Sequence, residues 1–120
     1  MGLLGDLIVY QKSFALAMEI FEFTKGFPKE ETYSLTDQIR RSSRSVCANL
    51  AEAYRKRRYP NHFISKLSDS DTENGETQVW LEFALSCKYL DEKEYGLLFA
   101  QSVEISKLLH FMMKNPERFL

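Results

Sequence analysis

The chain has 120 residues, 44% hydrophobic and 28% charged, the balance of an ordinary globular domain, which excludes an intrinsically disordered chain. Its formal net charge is −1, so no global field draws it to nucleic acid or to an anionic membrane, and any such pull must come from local asymmetry. No apolar run approaches membrane-spanning length, and Cys47 and Cys87 have no His or second Cys at ligand spacing, which points to two reduced thiols and neither a disulfide nor a metal site.

The opening MGLLGDLIVYQKSF is too short in its apolar run, and too soon charged, for a secretory signal. Asp6 stands where a myristoylation motif wants Ser or Thr, so a cytoplasmic protein is expected. A first helix is predicted from Asp6 to Lys25, with Leu7, Phe14, Met18 and Phe21 as its core face. Gly26 and Pro28 stop it. A second helix runs from Glu31 or Ser34 to Arg57 on the stripe Leu35, Ile39, Val46, Leu50 and Ala53, with Ser34 and Asp37 as a loose capping box.

Pro60 suits the first turn of a third helix, which carries Phe63, Ile64 and Leu67 at one end and Leu81, Leu85 and Tyr89 at the other. Between them lies SDSDTENGE, residues 68–76, which has the composition of a loop. It is not a calcium loop: counted from Asp69, Gly75 falls at position 7 and Trp80 at 12, and counted from Asp71 position 6 is Glu76. Phase favours a continuous helix. At ~100° per residue Leu67, Asp71, Asn74, Gln78, Leu81 and Leu85 share one face, a register that a loop has no reason to keep. Asp71, Asn74 and Gln78 then face the interior and need partners, with Ser42, Ser43, Asn49 and the second-helix arginines as candidates. A fourth helix starts at Asp91, with Glu94 in capping-box position, carries Leu98, Ile105, Leu109 and Met112, and ends near Asn115–Pro116. The expected product is all-α, an antiparallel up-down-up-down four-helix bundle forming one domain over residues 1–120.

Two helices are apolar on a second side. Val9, Leu16, Ile20 and Phe23 oppose Phe14 on the first, and Trp80, Phe83 and Cys87 turn away from Leu81 on the third. These second stripes are read as an oligomer interface, with self-association expected. Charge is also uneven: residues 34–58 hold seven basic and two acidic side chains, a local +5 that leaves −6 for the rest. Arg41, Arg44 and Arg55 fall within ~60° of each other on the wheel, opposite the apolar stripe. With Arg40 and the run Arg55, Lys56, Arg57 and Arg58 they are the candidates for phosphate contacts with RNA or DNA. The competing reading pairs them with Asp69, Glu73 and Glu76 and leaves a purely protein-binding module.

Catalysis has little support. His62 and His110 stand alone, and Glu52, Glu73 and Glu76 lack the Glu-x-x-His pairs of a helical di-iron site, so neither cofactor nor metal is expected.

The strings VYQKSFALAMEIFEFTKGFP (9–28) and LTDQIRRSSRSVCANLAEAYRKR (35–57) resemble the bacterial four-helix-bundle family encoded in 23S ribosomal RNA intervening sequences. In QIRRSSRSV and NLAEA, the residues Ser45, Asn49 and Glu52 match the family motif, and Ala53 replaces its usual Gly. In the third helix Ser70 and ENGETQVWLEFA look similar to the family's Ser and Glu–Thr segment, with either Glu73 or Glu76 as the family's Glu. The resemblance implies a four-helix bundle, a ring-like homopentamer, and relatives among the accessory proteins of diversity-generating retroelements, basic barrels that engage nucleic acid and a reverse transcriptase. The present chain is slightly acidic where those barrels are basic.

Overall fold

The computed structural model describes residues 2–120. Four helices account for most of them: α1 (Ile8–Thr24), α2 (Leu35–Arg55), α3 (Pro60–Ser86) and α4 (Glu92–Lys114), with short 3₁₀ turns at Leu4–Asp6, Lys29–Glu31 and Pro116–Arg118. No strand occurs among the described residues. Each helix packs on its neighbours in a closed cycle, α1 on α2, α2 on α3, α3 on α4 and α4 on α1.

Cross-helix hydrogen bonds fix the directions. Arg40 reaches Thr24 while Tyr54 reaches Gly2, so α1 and α2 are antiparallel. Ser42 with Thr77, and Ser70 with the Val46 carbonyl, set α2 against α3 in the same sense. Asn74 with Ser102, and Asp71 with Ser106, do so for α3 and α4. The result is an up-down-up-down bundle measuring 44 × 25 × 20 Å.

The stretch 68–76 is helical throughout, inside a single α3 of 27 residues. Continuity is possible because each buried polar group in it is satisfied. Asn74 Nδ2 donates to the Ser102 carbonyl at 2.8 Å, and Ser102 Oγ donates back to Asn74 Oδ1 at 2.8 Å. Gln78 Nε2 donates to Ser102 Oγ at 3.0 Å. Asp71 accepts from Ser106 at 2.9 Å and lies 3.0 Å from His110 Nε2. The partners of Asp71, Asn74 and Gln78 therefore sit on α4, not on α2 as expected. Ser42 serves Thr77 instead, Ser43 bonds its own helix, and Asn49 donates to Ser45 O.

The core comprises Ile39, Val46, Leu50 and Ala53 of α2, Phe63, Leu67 and Leu81 of α3, and Leu98, Ile105 and Leu109 of α4. On α1 the expected faces are exchanged. Val9, Leu16 and Ile20, read as oligomer interface, are buried in the monomer core. Phe14 and Met18, read as core, are 52% and 45% exposed. The reason is steric. The inward face runs Val9, Ser13, Leu16, Ala17, Ile20, Thr24, whose small and β-branched members let neighbouring helices approach, whereas a Phe14–Phe21 stripe would hold them apart. Phe23 is half-buried against the core.

The caps differ in one place. Asp91 and Glu94 make the predicted reciprocal box. Ser34 does not cap α2: the Glu31 carboxylate takes the Leu35 amide at 3.2 Å instead. Glu31 also accepts from Tyr89 Oη at 2.9 Å, tying the α1–α2 connection to the end of α3, where Phe27 and Tyr89 pack at 5.3 Å.

Candidate nucleic-acid interface

The basic residues of α2 divide into two groups. Arg40 lies on the α1 seam, with Nε donating to Thr24 Oγ1 at 2.7 Å and its guanidinium 4.7 Å from the Phe21 ring centroid. Arg44 is exposed, 5.6 Å from the same ring. Arg41 makes only a loose 3.9 Å contact with Asp37, at a side chain 75% exposed.

About 16 Å further along α2, at 1.5 Å per residue, the helix ends in Arg55, Lys56, Arg57 and Arg58. Arg55, Lys56 and Arg58 are exposed, and none forms an ion pair among the described residues. Arg57 is different: half-buried, it donates to the Tyr54 carbonyl at 2.9 Å and lies 3.8 Å over the Tyr54 ring, with Nη1 enclosed and unpartnered. Arg40 and Arg57 are thus engaged within the chain, whereas Arg41, Arg44, Arg55, Lys56 and Arg58 project into solvent. The turn leads into α3, whose Tyr59 N-cap supplies no side-chain hydrogen bond. Arg58, Tyr59, Pro60, Asn61 and His62 line a shallow recess of about 380 Å³ there.

The same end of the bundle holds two cations that sequence patterning missed. The antiparallel order brings the end of α4 beside the start of α3, and the turn Pro116–Arg118 packs there with Arg118 exposed beside Phe111. Lys114, in the last turn of α4, is exposed as well. Only the up-down topology could have announced this, because these residues lie some sixty positions from Arg55.

The pairing of the arginines with the acidic side of α3 does not form. Glu52 instead receives Lys66 Nζ at 2.7 Å, and Asp69 receives it at 3.6 Å. Glu73 and Glu76 have no basic partner among the described residues, and burial, together with the Glu76 carboxylate, pushes the Glu73 carboxyl up. Among the described residues no three of His, Cys, Asp and Glu gather in metal-ligand geometry. The motif residues Ser45, Asn49, Glu52, Ser70 and Glu73 instead follow the α2–α3 seam. Ser70 is fully buried and donates to the Val46 carbonyl at 2.8 Å, a close helix-to-helix bond that only a small hydroxyl can make. Trp80 is half-buried and Phe83 is 53% exposed.

Fold and charge together define the class: a small antiparallel four-helix bundle with a cationic end. Residues 5–111 match the 23S rRNA-intervening sequence proteins, and the chain belongs to that family. It is similar to a crystal structure, at 1.70 Å, of a protein of unknown function from the S23 ribosomal protein family of Bacteroides thetaiotaomicron VPI-5482. The two share 32% identity and a TM-score of 0.82, over 89% of this chain and 99% of that one. No curated protein matches the chain. Among the described residues no helix is long and apolar enough to cross a membrane.

Proposed function

We propose that the protein is a non-enzymatic, self-associating helical scaffold that touches RNA or DNA through its cationic end. The observation that carries this reading is the exposed group Arg55, Lys56 and Arg58, to which no carboxylate is paired among the described residues. Such charges are hydrated and ready to replace the counterions of a phosphate backbone. Arg118 and Lys114 widen the same surface, and the uncapped first turn of α3 adds a dipole of the right sign. Contacts of this kind hold a backbone without reading sequence. The competing reading, a purely protein-binding module with its arginines consumed in ion pairs, has only the loose contact of Arg41 with Asp37 behind it; Arg40 and Arg57 are taken up by Thr24, Phe21 and Tyr54 without a carboxylate.

The test is a filter-binding titration of structured RNA and duplex DNA at low and moderate salt. Wild type should bind both, with affinity falling by a log–log slope of about −3. Replacing Arg55, Lys56 and Arg58 together by Ala should remove the binding and leave the helical signal intact. Negligible binding by wild type at low salt would eliminate the nucleic-acid role.

A further inference from the structure

We infer that the cationic end binds unpaired nucleic acid, the bases of a single strand of RNA or DNA stacking on Tyr59 and His62 while Arg55, Lys56 and Arg58 hold its phosphates. The inference deepens the nucleic-acid role in the proposed function and rests on it. Tyr59 is 54% exposed, and His62, one helical turn further on, is exposed as well. Their ring centroids stand 5.9 Å apart with the planes tilted by 55°, so neither ring covers the face of the other. One exposed aromatic is ordinary on a protein surface. The surroundings set this pair apart.

A recess opens on each side of His62. One, of about 380 Å³, is lined by Arg58, Tyr59, Asn61 and His62; the other, of about 300 Å³, by Lys56, Asn61, His62 and Ser65. Each joins an aromatic wall to an exposed cation. Asn61, shared by both, offers an amide that donates and accepts at a base edge. The volumes are at the lower end of small-ligand clefts and suit one planar base each.

The platform is held from beneath. The Tyr59 amide donates to the Lys56 carbonyl at 2.8 Å, and the Tyr59 carbonyl accepts from the Phe63 amide at 2.9 Å. Pro60 fixes its own φ at the start of α3, and the fully buried Phe63 ties this turn to the core. The position of Tyr59 also gives something up. Ser, Thr, Asn or Asp there would cap α3, whereas Tyr59 makes no capping side-chain bond. A local rule of stability broken at an exposed position marks a residue with another use.

The rings supply a discrimination that charge lacks. Arg55, Lys56 and Arg58 alone would hold paired and unpaired strands alike through their phosphates. In a duplex each base face is covered by its neighbours, and a ring on a protein surface finds nothing to stack on. An unpaired strand leaves those faces free, and every base has one, so the preference is for single strands with little regard to sequence.

The experiment measures fluorescence anisotropy of labelled strands with the full chain. The strands are oligothymidylate and oligouridylate of about twelve nucleotides, the scale of single-strand sites, each with an abasic counterpart on the same sugar. The two sugars separate DNA from RNA. Wild type should bind at least one strand that carries bases about tenfold more tightly than its abasic counterpart, whose phosphates are the same. Tyr59→Ala with His62→Ala should lose that preference and keep a log–log salt slope of about −2, because the three cations remain. Tyr59→Phe with His62→Phe should retain the preference, because the rings remain. Negligible binding of every strand at low salt would overturn both this inference and the cationic reading it rests on. Strands bound alike with and without bases would overturn this inference and leave the cationic reading standing. A preference that survives in the alanine pair would overturn the assignment to Tyr59 and His62, and one lost in the phenylalanine pair would overturn stacking as its cause. If the alanine pair loses helical signal, Tyr59→Ser, whose hydroxyl can cap α3, takes its place with the same expected readouts.

Discussion

Asn74 is the residue on which the interior turns. It is buried to 1% exposure, and both ends of its amide are spent on Ser102. Asn74→Ala should cost about 2–3 kcal/mol, because it strands buried polar atoms that water cannot reach. Asn74→Ala combined with Ser102→Ala should cost less than the sum of the two single changes, since the Asn74 amide and the Ser102 hydroxyl then leave together and Gln78 Nε2 is the side-chain donor left without its partner. Urea denaturation of the four members of this cycle measures the coupling. Tyr89 makes a different kind of prediction. Its hydrogen bond to Glu31, with burial and the Glu31 charge behind it, holds the phenol up to about 12 from an ordinary 10.0. A phenol raised on folding contributes stability that is whole below pH 10.0 and is lost as pH climbs toward about 12. The same bond holds the Glu31 carboxyl below its usual value, so that side's contribution is present above the ordinary carboxyl pKa and fades as pH falls through the lowered one. Tyr89→Phe should flatten the alkaline limb of the pH–stability curve, and an unchanged limb would show that the bond contributes nothing.

At the scale of the element, α3 is the informative case. Its composition between residues 68 and 76 is that of a turn, yet Ser70, Asn74 and Thr77 are spaced so that each turn of helix offers one small polar group inward. Gly75 is the weak link, exposed and with nothing within 4 Å of where a Cβ would stand. Its φ is not positive, so Gly75→Ala adds no strain and should stabilise the protein by about 1 kcal/mol in a urea melt. A destabilised variant would mean that α3 bends at this point. The reversal of the two faces of α1 belongs to the same scale. A helix apolar all round does not state which side it buries; neighbours whose close approach demands Ser13 and Ala17 at the contact decide it.

On the scale of the whole molecule, the bundle separates its surfaces. The α2–α3 turn and the end of α4 bring Arg55, Lys56, Arg58 and Arg118 to one end. The end of α1 and the end of α3 bring Phe21 and Phe83 toward the other, along the sides of a body 44 Å long. The two proposed activities should therefore be separable by mutation. Neutralising Arg55, Lys56 and Arg58 should abolish RNA retention and leave the oligomer's mass unchanged. Paired light scattering and filter binding on this variant would check this; a lowered mass would mean that the cationic end itself joins the subunits.

The number of helices, their approximate ends, the continuity of α3 and the inward stripes of α2, α3 and α4 were all legible in the chain, because hydrophobic period and breaker residues are local and additive along a helix. The basic cluster at residues 55–58 was legible too, as a run of like charge. What only the tertiary structure decided was every choice between equivalent partners. It selected the buried side of α1, sent Asp71, Asn74 and Gln78 of α3 to Ser106 and Ser102 on α4, put Lys66 on Glu52, and packed the turn that carries Arg118 against α3. Those choices depend on distances between segments far apart in the chain, which periodicity within one helix does not encode.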